Sequence, residues 1–92
     1  MNTEEIKRIL DEKINELEKF AKNGFERIGF ISGTTIVISC SPNKTSISWG
    51  IVTELDWLED YVRKKGYVPG RHDGKSPHQR QFKKEFHVGI GG

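Results

Sequence analysis

FERIGFISGTTIVISCSPNKTSISWGIV, residues Phe25 to Val52, is the one part of the chain rich in β-branched residues. It decides the fold. Ile36, Ile38 and Cys40 alternate with Thr35, Val37, Ser39 and Ser41, and Ile47, Trp49 and Ile51 alternate with Ser46, Ser48 and Gly50. A period of two with one apolar and one hydroxyl-rich face predicts antiparallel strands covered on one side only. The first strand is split between Ile28 and Phe30 on one face and Phe25, Gly29 and Ile31 on the other. The expectation is that Ile28 and Phe30 point inward. Ser32-Gly33-Thr34 and Pro42-Asn43-Lys44 supply the turns, with Gly33 and Asn43 suited to a positive φ.

Upstream, residues 2–23 predict an amphipathic helix. Asn2 with Glu5 three residues on makes a capping box, and Ile6, Ile9, Leu10, Ile14, Leu17, Phe20 and Ala21 recur at helical spacing. Gly24 sits where a left-handed residue ends a helix, and Phe25 where it packs back on Phe20. The apolar spacing is too short for a heptad seam, so the stripe is expected to cover the chain's own sheet. Downstream, Thr53 is the expected cap of a second helix, with Leu55, Leu58 and Val62 buried and Trp57 and Tyr61 beside them. Gly66 stops it, and Tyr67 is placed to pack on Val62.

The segment after Pro69 is punctuated by glycine and proline. Ser76-Pro77-His78-Gln79 has the form of a capping box with Pro at the first helical position. This predicts a short third helix from Pro77 to about Phe86, against a strand reading from the alternation of Phe86, Val88 and Ile90. The fold class is therefore α+β: helix, three-stranded antiparallel meander, helix, then a basic C-terminal extension with a short helix or strand. Residues 1–68 are read as a single αβββα domain, and residues 69–92 as a segment packed on it or extending from it. The expected core sets Ile28, Phe30, Ile36, Ile38, Ile47, Trp49 and Ile51 against Leu10, Ile14, Leu17, Leu55, Leu58 and Val62.

In element order the chain resembles double-stranded RNA-binding domains. That family grips phosphates with basic residues at the start of its second helix, where this chain reads Thr53-Glu54-Leu55-Asp56. The resemblance stops at element order and carries over no function or site.

The chain has 92 residues and a net charge of +2. The positive excess lies in residues 67–92, with five basic side chains against two acidic ones. One cysteine, Cys40, cannot form an internal disulfide, which suits a reducing compartment. No basic stretch followed by an apolar run opens the chain, and no apolar run approaches the ~20 residues of a spanning helix. No leader and no membrane contact are expected, and the location is read as cytoplasmic.

Catalytic patterns are missing. Gly70 to Gly74 encloses three residues where a phosphate-binding loop needs four. A looser anion site at Arg71 and Lys75 is the most that stretch suggests. His72, Asp73, His78 and His87 do not fall at zinc spacings, and Cys40 on an apolar strand face reads as a small buried hydrophobe. The sequence thus predicts no enzyme, no cofactor and no metal. An enzymatic site would have to be assembled between chains, for example from His72, Asp73 and His78.

Two binding functions remain. The first is contact with nucleic acid or a nucleoprotein through Arg71, Lys75, Arg80, Lys83, Lys84 and His87. On a helix, Arg80, Lys83, Lys84 and His87 would share one broad side, with aromatic rings available for stacking. The second is a small inhibitor or adaptor, of the kind mobile elements use, that docks on a nucleic-acid-processing protein. The hydroxyls of Ser39, Ser41, Ser46 and Ser48 offer no large apolar patch, so that docking site is expected to be polar or on a helix. Either a monomer or a homodimer is compatible with these readings.

Overall fold

The structure, a computed structural model, describes residues 2–70 and 79–87. Helix α1 (Thr3–Lys22) is followed by strands β1 (Arg27–Phe30), β2 (Val37–Ser41) and β3 (Lys44–Gly50). A single 3-10 turn (Thr53–Leu55), helix α2 (Leu58–Lys64), and strands β4 (Val68–Pro69) and β5 (Gln79–Glu85) complete it. The α+β class holds. No helix among the described residues is long and apolar enough to cross a membrane.

The ends of α1 are made as the sequence predicts. Asn2 Oδ1 accepts from the Glu5 amide at 2.8 Å, occupying one of the donors a helix start leaves without a partner. At the other end Gly24 has φ 83°. The amides of Phe25 and Gly24 donate to Phe20 O and Ala21 O at 2.9 and 3.1 Å, and Phe25 meets Phe20 edge to face at 6.2 Å. This is a Schellman ending with its hydrophobic contact. Helix α2 repeats it: Gly66 has φ 95°, and the Tyr67 amide reaches Val62 O at 3.1 Å. The start of α2 differs from expectation. Thr53 does not cap it; Thr53, Glu54 and Leu55 form the 3-10 turn, Trp57 Nε1 donates to Glu54 O at 2.9 Å, and the α-helix begins only at Leu58.

The meander β1-β2-β3 is antiparallel, closed by turns at Gly33 (φ 81°) and Asn43 (φ 64°). It belongs to a five-stranded sheet of order β1-β2-β3-β5-β4. The third helix expected from Pro77 is therefore a strand over its described part, Gln79–Glu85, lying between β3 and β4. Its seven-residue pairing with β3 satisfies more backbone groups than a short terminal helix would, and tertiary pairing overrides the local cap signal.

One core fills the space between sheet and helices. Ile6, Leu10, Ile14, Leu17 and Ala21 of α1 meet Ile36, Ile38, Cys40, Ile47, Trp49 and Phe82, with Leu55, Leu58, Val62 and Tyr67 closing the side. Three expected core residues lie outside it: Ile28, Phe30 and Ile51 are 62%, 63% and 46% exposed. The β1–β2 register gives the reason. Gly29 sits opposite Ile38, whereas Ile28 and Phe30 sit opposite Ser39 and Val37 on the solvent side. The inward residues of β1 are Gly29, under α1, and Ile31 just beyond the strand, which is 1% exposed. A Cβ on Gly29 would already lie 3.7 Å from both Leu17 Cδ1 and Lys13 Cδ, so α1 crosses too low for a large side chain there. Ile51 follows the end of β3 and leaves the alternation.

Candidate binding surfaces

The strand geometry of β5 redistributes the basic residues. Side chains alternate between faces, so Arg80, Phe82 and Lys84 look toward the helices, and Gln79, Gln81, Lys83 and Glu85 toward solvent. Lys84 is built into the structure. Its Nζ donates to Lys65 O at the end of α2 (2.9 Å), lies 3.6 Å from Glu18 Oε2, and sits over the Tyr67 and Phe86 rings. A cation on the last carbonyls of a helix is where the dipole favours it. Lys83 lies on the outer face, 3.5 Å from Glu85. Arg80 reaches toward α2, 3.8 Å from Glu59. His87 is exposed beyond the strand. Arg71 and Lys75 fall outside the described residues, as do His72, Asp73 and His78. The four described candidates thus occupy four different places rather than one broad side. Lys84→Ala should cost about 1 kcal/mol in urea unfolding, and Lys83→Ala less than about 0.5; on a helix the two neighbours would behave alike.

Two polar clusters join elements distant in sequence. Tyr67 Oη donates to Glu18 Oε2 at 2.8 Å and lies 2.7 Å from Thr45 Oγ1. Because a carboxylate can only accept, the Thr45 hydroxyl is the donor in that second bond. Burial, followed by the charge of Glu18, pushes the Tyr67 phenol well above its ordinary range despite the bond from Thr45. Between the helices, Tyr61 Oη donates to Asp11 Oδ1 at 2.7 Å, and Lys65 Nζ lies 2.8 Å from the same oxygen. Burial alone would raise the Asp11 carboxyl, but the bonds from Lys65 and Tyr61 outweigh it and hold it below its ordinary value. The Tyr61 phenol is pushed up to about 12, by burial and then by Asp11. Both phenols are proton donors held neutral, which suits structural bonds and not base catalysis. Among the described residues no group of three His, Cys, Asp or Glu side chains could hold a metal ion. Cys40 is buried, its Sγ 3.4 Å from Phe25 O.

The surface that sequence reasoning missed is β1. Among the described residues it is an edge strand. The Ile31 amide bonds Ile36 O, which makes Ile31, Gly29 and Arg27 the residues whose backbone groups face β2. The N–H and C=O groups of Ile28 and Phe30 therefore face the open edge. The same two residues carry the exposed apolar side chains on the outer face, beside half-buried Val37. Arg27 marks one end of the strand, its guanidinium 4.9 Å from the Phe20 ring centre and 5.6 Å from that of Phe25. The signal available in sequence was the pair Gly29 and Ile31, of which only Ile31 is a large inward residue; with one Phe and one Ile on each candidate face, apolar bulk did not decide between them.

A second feature lies on the β4–β5 side. Glu59 of α2 receives Arg63 Nε at 3.2 Å and Nη2 at 3.1 Å on one oxygen, and faces Arg80 on the other. With Gln79, Gln81 and Gly70 these residues line an open groove of about 290 Å³. Comparison with protein-family models, with curated proteins and with solved structures found no match to this chain.

Proposed function

We propose that this protein is a small non-enzymatic binding module that captures an extended segment of a protein partner along β1. One observation carries the reading: the residues whose backbone groups face the open edge are the ones that expose large apolar side chains, Ile28 and Phe30. Edge strands in monomeric proteins are ordinarily blunted by charge, proline or cover. Here the middle of the edge is apolar. Strand addition uses such an edge for main-chain hydrogen bonds, and alternate side chains for selectivity. A partner strand whose apolar side chains fall on the outer face would pack beside Ile28, Phe30 and Val37. A second copy pairing through β1 alone would bring four residues from each side, against the roughly 20–30 a side of a stable interface. A larger partner with surface of its own fits better. This is an adaptor or inhibitor by docking, and the chemistry of β1 does not require that the partner process nucleic acid.

Ile28→Pro removes an edge-facing N–H while leaving the β2 ladder whole, and Phe30→Ser removes the exposed ring. Both should fold, with stability changed by less than about 1 kcal/mol. A photo-crosslinker at position 30 identifies the partner in cells, and calorimetry with that purified partner should show at least tenfold weaker binding for each variant. Unchanged affinity in both variants, loss of the complex on nuclease treatment, or a wild-type dimer that Phe30→Ser dissociates would each overturn the reading.

A further inference from the structure

The groove between α2 and β5 has the parts of a phosphate site, and we propose that Arg63 and Arg80 together bind a phosphate group there. This stands independently of the reading of β1, which lies across the sheet, three inter-strand spacings or about 14 Å from β5.

Arg63 is held in place from beneath. Its guanidinium lies 5.1 Å from the Phe82 ring centre, and Phe82 is stacked on Trp49 at 5.5 Å with planes 10° apart. Both rings are at most 4% exposed, so the cation rests on a platform fixed by the core. From that platform its Nε and Nη2 edge meets Glu59 Oε2 at 3.2 and 3.1 Å, the paired-donor edge with which a guanidinium also grips a phosphate. Arg80 comes from the neighbouring strand. At 3.8 Å from Glu59 Oε1 it is attracted to that carboxylate without a hydrogen bond to it. Two guanidinium groups thus converge on one carboxylate, leaving one positive charge in excess among these three groups.

Both arginine side chains are about half exposed, at 47% and 51%, and reach solvent through the open side of the groove. Arginine forks match the oxygens of a phosphate two at a time, and Arg80, 3.8 Å from Glu59 Oε1, spends no hydrogen bond on that carboxylate. Glu59 acts here as the competitor that an incoming phosphate displaces.

The phosphate could arrive as a free anion or as a phosphodiester of single-stranded nucleic acid. The two sources are separated by titrating the full chain, with Arg63 and Arg80 Nε–H signals followed by NMR, against inorganic phosphate and against a short oligothymidylate at low salt. Shifts with both titrants at similar concentration indicate a free-anion site. Shifts with the oligonucleotide at much lower concentration indicate a phosphodiester site. Arg63→Gln and Arg80→Gln should each weaken binding roughly 10- to 100-fold, while Glu59→Gln should tighten it severalfold by removing the competing charge. Arg-signal shifts absent with both titrants, or a Kd left unchanged by all three substitutions, would overturn the proposal. Loss of binding in Ile28→Pro would not bear on it, so its failure and that of the β1 reading are distinguishable.

Discussion

Phe82→Ala should destabilise the protein by about 3–5 kcal/mol, the cost of emptying a core site of a phenyl ring. Phe82 is 2% exposed, pairs with Ile47 across β3 and Pro69 across β4, lies stacked on Trp49 and carries Arg63 above it. Its removal opens a cavity between the flanking strands and α2, beside the buried Trp49 and Ile47. A domain of this size has a total stability of some 5–15 kcal/mol, so the variant should sit near the edge of unfolding at room temperature. Urea denaturation followed by circular dichroism reads the effect as a lower midpoint with an unchanged slope. Gln81→Ala, one residue away on the outer face, is the control and should change stability by less than about 0.5 kcal/mol. Equal effects at 81 and 82 would mean that β5 does not lie in the sheet. The phosphate groove depends on the same platform, so Phe82→Leu, which keeps bulk but not the aromatic face, should cost less stability while still loosening Arg63.

What was legible in the sequence was whatever neighbouring residues settle among themselves. The Asn2 cap, the Gly24-Phe25 and Gly66-Tyr67 endings and the turns at Gly33 and Asn43 each involve side chains and amides within five positions of one another, and each formed as its residues suggest. The stripe of α1 was equally plain because period 3.6 leaves one consistent face. Features set by distant partners were not legible. Gln79–Glu85 has a single apolar residue, Phe82, so it displays no alternation; only its register with β3 makes it a strand. The inward face of β1 is set by how low α1 crosses over Gly29, a tertiary fact. Misplacing Ile28 and Phe30 hid the apolar edge and led to the expectation of a polar docking surface. Likewise Arg80 was singled out for its charge, but its partners Glu59 and Arg63 belong to α2, and no spacing in the chain connects them.

The buried Tyr67 cluster yields the second large effect, and its pH dependence has a definite sign. Tyr67→Phe keeps the ring in the core and removes only the hydroxyl that links Thr45 to Glu18. Thr45 is 0% exposed, so its hydroxyl would lose a partner where water cannot replace it, at a cost of about 1–3 kcal/mol. Thr45→Val in the same background removes the orphaned donor and should recover part of that loss, which a double-mutant cycle would read as coupling. The phenol must be protonated to donate to Glu18. Its pKa is raised in the folded state by burial and then by Glu18, so folding favours the protonated form. The contribution is therefore complete below the unfolded tyrosine pKa of about 10 and is lost progressively as pH rises above it. Tyr61, raised to about 12, acts in the same direction, so Tyr61→Phe is measured alongside. Between pH 8 and pH 11 the wild-type urea midpoint should fall more than that of Tyr67→Phe, because the variant has already lost the proton-dependent bond. Parallel declines in the two proteins would show that the Tyr67 hydroxyl does not couple β3 to α1, and that Thr45 finds its partner elsewhere.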